Sequence, residues 1–265
     1  MISSPPAARG DGGLGRAFRY LIRVPLLLAH LIVLLPLVLL SMVPLWSWLP
    51  WQGERLEHCA VRMWSAGLLR IFGFRLRTFG APLPDPVMFV ANHVSWVDIE
   101  MLHSQRMMGF VAKREIRSWP LVGWLAARGE TIFHQRGSQE SMGGVMHAML
   151  ERLQQRRTVG VFPEGRTRDG SAVGAFHARI FQPAVEAGVP VQPVALRYGN
   201  GGDAQARVAF GPDENFMVNF IRLLGEPRRP AAICFLKPIL PGEVEGRRQM
   251  AELARERIVA AMGEG

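Results

Sequence analysis

The chain has 265 residues, of which 49% are hydrophobic, and its formal net charge is +9. This composition excludes a disordered chain and supports one compact domain with an additional segment. The basic excess favours anionic partners such as lipid head groups, phosphorylated substrates, an acidic carrier protein or nucleic acid. Cys59 and Cys234 show neither a C-x-x-C nor a zinc-like spacing, which argues against a disulfide framework and for a reducing compartment.

Residues 1–23 are predicted to form a flexible basic tail, because they begin with a run rich in Gly, Pro and Ala. This tail contains four arginines, Arg9, Arg16, Arg19 and Arg23. Positive charge before an apolar segment places that end of the chain on the cytoplasmic side of a membrane.

Residues 24–52 are predicted to be a membrane segment. Between Val24 and Trp51 the chain has no Lys, Arg, Asp or Glu, and this stretch is long enough to cross a hydrocarbon core of roughly 30 Å as a helix. The tryptophans near its end suit a membrane interface; they are Trp46, Trp48 and Trp51. Pro36, Pro44 and Pro50 would kink or end a helix. A straight span and a re-entrant hairpin therefore both stay open, with a buried core helix as the weaker alternative.

Residues 53–265 are predicted to form a single α/β domain with a mostly parallel central sheet, because β-rich runs alternate with helix-like stretches. An amphipathic helix is expected over Glu54–Phe72, facing either a membrane surface or the core. The β-rich runs are Val87–Ala91, Gly109–Ala112, Glu130–Phe133, Thr158–Phe162, Val191–Arg197, Ala206–Phe210 and Ala231–Phe235. The clearest later helices are Gln139–Arg156 and Glu245–Met262. Active sites of such folds collect at the carboxyl ends of strands.

The first candidate motif follows the strand predicted at Val87–Ala91 and reads Asn92-His93-x-Ser95-x-x-Asp98. An imidazole can take a proton from an alcohol while a carboxylate fixes its tautomer and stabilises the cation. His93 and Asp98 are therefore candidate catalytic residues, with a substrate hydroxyl as the nucleophile. Taken alone, the spacing fits equally well a turn in which Asp98 caps the next helix and His93 only packs.

Two further runs place cations at predicted strand ends. Lys113 follows one strand and Arg136 follows another. A lysine in this position can meet an anion, and a guanidinium suits bidentate capture of a phosphate. Both are candidate substrate-binding residues, although solvated surface charges would give the same pattern.

The fourth run is Phe162-Pro163-Glu164-Gly165-Arg166-Thr167-Arg168, directly after a hydrophobic strand. Proline stops strand pairing, and glycine allows the backbone to approach a ligand closely. Backbone N–H groups near Gly165, with Arg166 and Arg168, could cradle a phosphate or stabilise an oxyanion, and Glu164 could anchor a hydroxyl or an arginine. A charged turn without a ligand is the alternative.

Taken together and in this order, the four runs resemble the PlsC-type 1-acyl-sn-glycerol-3-phosphate (lysophospholipid) acyltransferase family over residues 75–200. The family pattern N-H-x-S-x-x-D is matched at Asn92, His93, Ser95 and Asp98, and K-x-E…P-x-x-G is matched at Lys113, Glu115, Pro120 and Gly123. The pattern G-x-x-F/I-x-x-R is matched loosely at Gly129, Phe133 and Arg136, and a late V-P-[IV]-x-P-V at 189–194. In the F-P-E-G-T-R pattern, Arg166-Thr167 replaces Thr-Arg, which leaves both Arg166 and Arg168 open for the role of the family arginine.

The resemblance implies transfer of a fatty acyl group from acyl carrier protein or coenzyme A to a lysolipid hydroxyl, with His93 as the base and Asp98 as its partner. The favoured acceptor is 1-acyl-glycerol 3-phosphate, giving phosphatidic acid, and the nearest alternative is lyso-ornithine lipid. No metal or redox cofactor is expected. The substrate-binding residues so implied are Asn92, Ser95, Lys113, Arg136, Phe162, Pro163, Glu164, Gly165, Arg166 and Arg168.

The expected partners are membrane lipids, the lysophospholipid substrate and an acyl carrier protein. Nucleic acid is not expected, because aromatic RNA-stacking motifs and a recognition-helix pattern are absent. The expected location is the inner (cytoplasmic) membrane with the catalytic domain on the cytoplasmic face. Acyl donors are cytoplasmic, which favours a hairpin over a straight span. A non-catalytic basic membrane-binding protein is the remote alternative.

Overall fold

The computed structural model describes residues 13–43, 50–51, 54–84, 86–119, 123, 126–127, 129–135 and 139–263. Several residues named above lie outside this part of the chain: Arg9, Pro44, Trp46, Trp48, Pro120 and Arg136.

The domain is built on a mostly parallel sheet, as predicted. The strands in chain order are β1 (Pro50–Trp51), β2 (Glu54–Arg55), β3 (Phe74–Phe79), β4 (Met88–Ala91), β5 (Gly109–Lys113), β6 (Ile132–His134), β7 (Val159–Val161), β8 (Val191–Tyr198) and β9 (Arg229–Phe235). Strands β3 to β9 form one sheet in the order β3-β9-β8-β4-β7-β5-β6, while β1 and β2 form a separate antiparallel pair. Neighbours in the large sheet run parallel except β8 and β9.

The helices connect these strands. In chain order they are α1 (Gly13–Ala29), α2 (Leu35–Ser41), α3 (Leu56–Ile71), α4 (Val97–His103), α5 (Gln139–Gln154), α6 (Gln182–Ala187), α7 (Gln205–Val208), α8 (Phe216–Leu224) and α9 (Gly246–Gly263). A π-helical turn at His30–Leu34 joins α1 to α2, and 3-10 turns occupy Arg114–Ser118 and Ala178–Phe181.

The sheet lies between two helical layers because its central strands are apolar on both faces. All of β4 is buried; Phe89 and Ala91 belong to one core, whereas Met88 and Val90 belong to the other. The first core includes side chains of α3, α4 and α8, and the second includes side chains of α5, α6 and α9. Burial on both faces is typical of a strand inside a parallel sheet. The carboxyl end of β4 therefore lies in the middle of the domain.

The predicted strands differ from the structure at Ala206–Phe210 and at β3. The run Ala206–Phe210 is not a strand, because Gln205–Val208 forms the single turn α7. The Gln205 side chain holds this turn against β8, accepting from the Tyr198 N–H and donating to the Leu196 carbonyl. In addition, β3 is an edge strand that was not predicted, although its apolar residues alternate with exposed arginines.

The prediction of a flexible tail is wrong for residues 13–23, which lie in α1. Three of its side chains donate to carbonyl oxygens near the end of α8: Arg19 Nε to Gly225 at 2.6 Å, Tyr20 Oη to Ile221 at 2.9 Å and Arg23 Nη1 to Leu224 at 2.8 Å. Donors at this position satisfy the last carbonyls of a helix, and their positive charge complements its dipole. These contacts make α1 part of the folded domain.

The helical segment Gly13–Ser41 contains an irregular turn and has two different sides. Pro36 cannot donate a backbone hydrogen bond to the turn before it, and the π-helical turn precedes it there. With 29 residues and a mean hydropathy of 2.5, it is the one helix in the described part that is long and apolar enough to cross a membrane. One side packs on the domain, for instance through Val38 near Val61 of α3. The other side exposes Leu14, Phe18, Leu21, Ile32, Val33, Leu37 and Leu40.

Candidate active site

His93 and Asp98 form a hydrogen-bonded pair at the carboxyl end of β4. The His93 Nδ1 atom lies 2.8 Å from Asp98 Oδ2, and the same oxygen accepts the N–H groups of Val94 at 2.7 Å and Ser95 at 2.9 Å. An ionised carboxylate only accepts, so the hydrogen-bond network assigns the proton of the neutral imidazole to Nδ1. Nε2 is then the nitrogen that can take a proton from a substrate.

Burial separates the two partners of this pair. The Asp98 side chain is fully buried, whereas 16% of the His93 side chain is exposed. The carboxylate bends back over the loop before α4, whose N-cap residue is Trp96. Asp98 therefore organises the loop and orients the imidazole. It does not cap α4, because it lies inside that helix and accepts N–H groups that precede it.

Asn92 joins β4 to β8 just before the loop 93–96, which leads into α4. Its Nδ2 donates to the Leu196 carbonyl at 3.0 Å, and its Oδ1 accepts the Leu196 N–H at 2.8 Å. This amide is buried and serves the backbone on both sides, so it sets the position at which the loop begins. Ser95 is also fully buried, with its Oγ 3.5 Å from the N–H of Val97.

The turn after β7 holds His93 through its ring, its N–H and its carbonyl. The Phe162 ring stacks on the imidazole, with centroids 3.9 Å apart and planes inclined by 14°. Glu164 Oε1 accepts the His93 N–H at 3.0 Å, and the Arg168 N–H donates to the His93 carbonyl at 2.8 Å. The first and fourth sequence motifs thus form one site.

Glu164 is a buried brace within this turn. Besides the His93 N–H, its carboxylate accepts the N–H of Gly174 at 2.8 Å and lies 3.2 Å from Arg168 Nε. Only 2% of Glu164 is exposed. Of the two roles considered for Glu164 from the sequence, the structure shows the contact with an arginine.

Gly165 and the two arginines of the turn have different environments. Gly165 has a φ of 71°, which a glycine adopts without strain. Its own N–H donates to the Phe162 carbonyl at 3.0 Å, and the expectation that other N–H groups near Gly165 meet a ligand stays a prediction. Arg166 is exposed to solvent, whereas Arg168 is paired with Glu164. Arg166 is accordingly the more exposed guanidinium of this turn, and its role in binding a head group stays a prediction.

The structure describes only part of the second and third sequence motifs, which contain Lys113 and Arg136. Lys113 is the last residue of β5, but its side chain lies outside the described part of the chain, as does Arg136. Glu115 is exposed on a 3-10 turn. The binding roles of Lys113 and Arg136 therefore remain predictions. Within the described ranges, no three His, Cys, Asp or Glu side chains are grouped as a metal ion would need.

Two contacts, one of Asp98 and one of the loop 93–96, were not anticipated from the sequence. Tyr198, the last residue of β8, donates its hydroxyl to Asp98 Oδ1. The indole of Trp96 donates to Asn219 Oδ1 at 3.1 Å and packs against the rings of Phe72, Phe216 and Phe220. The available signal for Tyr198 was its position at the end of an apolar strand. Helix α8 carries Asn219 and thus supports the loop through Trp96, while its own end is held by α1.

The sequence matches a known protein family and several named relatives. Residues 78–197 match the Acyltransferase family. The chain is 37% identical over 207 residues to the lyso-ornithine lipid O-acyltransferase of Pseudomonas aeruginosa, covering 78% of this chain and 80% of that protein. It is 41% identical over 115 residues to the 1-acyl-sn-glycerol-3-phosphate acyltransferase of Neisseria gonorrhoeae, covering 43% of this chain and 45% of that protein.

A solved structure is also similar. It is the 1-acyl-sn-glycerophosphate (LPA) acyltransferase PlsC from Thermotoga maritima, with a TM-score of 0.69 over 95% of this chain and 94% of that chain. The two sequences are 18% identical, so this likeness shows a shared fold.

Proposed function

Because this chain belongs to the PlsC-type acyltransferase family and is an acyltransferase of the lysophospholipid type, we propose that it acylates the hydroxyl of lyso-ornithine lipid at the cytoplasmic membrane. The observation that carries the chemistry is the His93–Asp98 pair held against the Phe162–Arg168 turn. Acyl carrier protein or coenzyme A supplies the acyl group as a thioester.

In this mechanism His93 moves a single proton. Its Nε2 takes the proton of the acceptor hydroxyl while the hydroxyl oxygen attacks the thioester carbonyl and forms the new C–O bond. Asp98 stabilises the imidazolium that results. When the tetrahedral intermediate collapses, the C–S bond breaks and His93 returns the proton to the leaving thiolate. The acyl group passes directly between the substrates, so no side chain of the enzyme is acylated.

Two observations favour lyso-ornithine lipid as the acceptor. The similarity to the Pseudomonas aeruginosa protein extends over most of both chains. In addition, Glu164 pairs with Arg168, which leaves Arg166 as the exposed guanidinium of this turn. A zwitterionic head group needs less positive charge than a phosphomonoester does. This proposal reverses the order of the two acceptors expected from the sequence.

The second candidate acceptor is 1-acyl-glycerol 3-phosphate. It is favoured by the 41% identity to the Neisseria gonorrhoeae protein, although that match spans less than half of either chain. In that reaction Arg166, Arg136 and Lys113 would supply the positive charge for the phosphate.

A competition assay tests the proposal. The purified protein receives both lysolipids in equal amount in mixed micelles, with acyl-acyl carrier protein and acyl-coenzyme A in separate reactions, and mass spectrometry quantifies the two products. We expect kcat/KM at least about tenfold higher for lyso-ornithine lipid, and background product formation by His93→Ala. Preferential formation of phosphatidic acid would show that 1-acyl-glycerol 3-phosphate, not lyso-ornithine lipid, is the preferred acceptor. Equal rates for wild type and His93→Ala would overturn the mechanism.

The location at the membrane is the remaining part of the proposal. In it, the segment Gly13–Ser41 lies in the cytoplasmic leaflet with its exposed apolar side toward lipid, and the catalytic domain remains on the cytoplasmic face. Support comes from the two ends of this segment, because Arg19 and Arg23 bond to α8 while α2 packs on α3. Contacts of both ends with one domain favour a hairpin-like insertion over a straight span. Helix α8 adds exposed Met217, Val218 and Ile221 beside α1.

A further inference from the structure

Asp98 uses its two carboxylate oxygens differently. Oδ2 accepts the His93 Nδ1–H and the backbone N–H groups of Val94 and Ser95. Oδ1 accepts the hydroxyl of Tyr198, and both side chains are fully buried. The torsion that turns a carboxylate about its Cβ–Cγ bond is broad. Its orientation is therefore set by the donors that face each oxygen.

Tyr198 is itself held firmly in place. Its N–H donates to Gln205 Oε1 at 2.7 Å, and its ring lies against Phe74 with centroids 5.7 Å apart. Two residues earlier in β8, the Leu196 N–H donates to Asn92 Oδ1 and the Leu196 carbonyl accepts from Asn92 Nδ2. The phenol therefore approaches Asp98 from a strand that is tied to the start of the loop 93–96.

We propose that Tyr198 is a positioning residue for acyl transfer, which keeps the Asp98 carboxylate turned so that Oδ2 stays on His93 Nδ1. This inference rests on the proposed acid–base role of His93. Without the hydroxyl, Oδ1 becomes a buried, charged oxygen with one donor fewer. The carboxylate then gains freedom to rotate, and the imidazole loses the fixed tautomer and orientation that proton transfer requires.

The protonation of Tyr198 suits this role. Burial, together with the negative charge of Asp98 and the hydrogen bond to it, raises the pKa of the Tyr198 hydroxyl well above its usual range. The phenol consequently stays protonated at neutral pH and acts toward Asp98 as a donor.

The test is Tyr198→Phe, which removes the hydroxyl and keeps the ring that packs on Phe74. We expect kcat to fall by about tenfold to a hundredfold, with KM for the acceptor changed by less than about twofold. Near-UV circular dichroism and Tm give the folded fraction, and kcat is expressed per folded enzyme. A purely structural role would lower Tm and leave this corrected kcat unchanged.

The matched control is Tyr20→Phe, since the chain has two tyrosines. Tyr20 donates its hydroxyl to a backbone carbonyl of α8, not to Asp98. This variant loses a tyrosine hydrogen bond away from His93 and Asp98, and we expect its kcat to stay within about twofold of wild type.

A double-mutant cycle with Asp98→Asn shows whether Tyr198 acts through Asp98. In the Asp98→Asn background, Tyr198→Phe should reduce kcat by less than about twofold. A full additional loss in that background, or a wild-type kcat for Tyr198→Phe, overturns the inference. The proposed function fails separately, because in that case the wild-type enzyme itself would acylate neither lysolipid.

Discussion

The variant Glu164→Gln tests whether the buried carboxylate braces His93 or binds substrate. The amide keeps the size of the side chain but offers one carbonyl oxygen, while two backbone N–H groups need an acceptor, those of His93 and Gly174. One buried N–H then loses its acceptor, which costs about 1–3 kcal/mol. The lost ion pair with Arg168, whose side chain is 30% exposed, adds less than about 1 kcal/mol. The free energy of unfolding should therefore fall by about 1–4 kcal/mol, or roughly 2–16 °C in Tm.

The kinetic signature separates bracing from substrate binding. Displacement of His93 should lower kcat by about tenfold while KM for the acceptor changes little. Thermal unfolding in detergent and steady-state kinetics on the same preparation measure both effects. Glu186→Gln is the control, because Glu186 is exposed and accepts a bond from Gln182; its stability should stay within about 0.5 kcal/mol of wild type. A raised KM with unchanged Tm and kcat would show that Glu164 binds substrate and would refute the reasoning.

Three further variants probe other parts of the structure. Phe162→Leu removes the ring stacked on His93 and should lower kcat about three- to tenfold, with a wild-type kcat as the contrary result. Burial lowers the pKa of His103 from 6.5 to about 4. As the pH falls below 6.5, His103 is protonated in the unfolded chain before it is protonated in the folded one. The free energy of unfolding is therefore highest above pH 6.5 and decreases as the pH falls toward 4. His103→Gln should flatten Tm against pH in that window, and an unchanged slope would contradict the assignment. Leu21→Ser should weaken binding to anionic vesicles about tenfold in a flotation assay, whereas Val259→Ser should not; equal effects would argue against α1 as the lipid-facing helix.

The loop that carries His93 could be predicted because its signals are local. The strand before it is a continuous apolar run, as expected for a buried parallel strand, and its bounds in the structure differ by one residue from those predicted. His93 and Asp98 are near in the chain, so their pairing follows from the turn after β4. The parallel sheet then brings the next strand ends to the same edge, which places the Phe162 turn beside His93.

The supports of the loop could not be predicted because their partners are distant in the chain. The bond from Glu164 to His93 spans 71 positions, and the bond from Tyr198 to Asp98 spans 100. Both depend on which strands are neighbours in the sheet, and local patterns do not reveal that order. The same limit explains why residues 13–23 were wrongly predicted to be a flexible tail, since the Leu224 carbonyl that Arg23 contacts lies 201 positions away.

The bonds between α1 and the end of α8 bear on how this enzyme can be handled. A chain shortened to begin after Ser41 would leave the carbonyls of Leu224 and Gly225 without the donors that now satisfy them. Helix α8 also carries the Asn219 side chain that holds Trp96 in the loop 93–96. Trimming the apolar N-terminus is therefore a poor route to a water-soluble enzyme, because the same cut removes a support of the active site. Purification of the whole chain in detergent or lipid keeps that support in place.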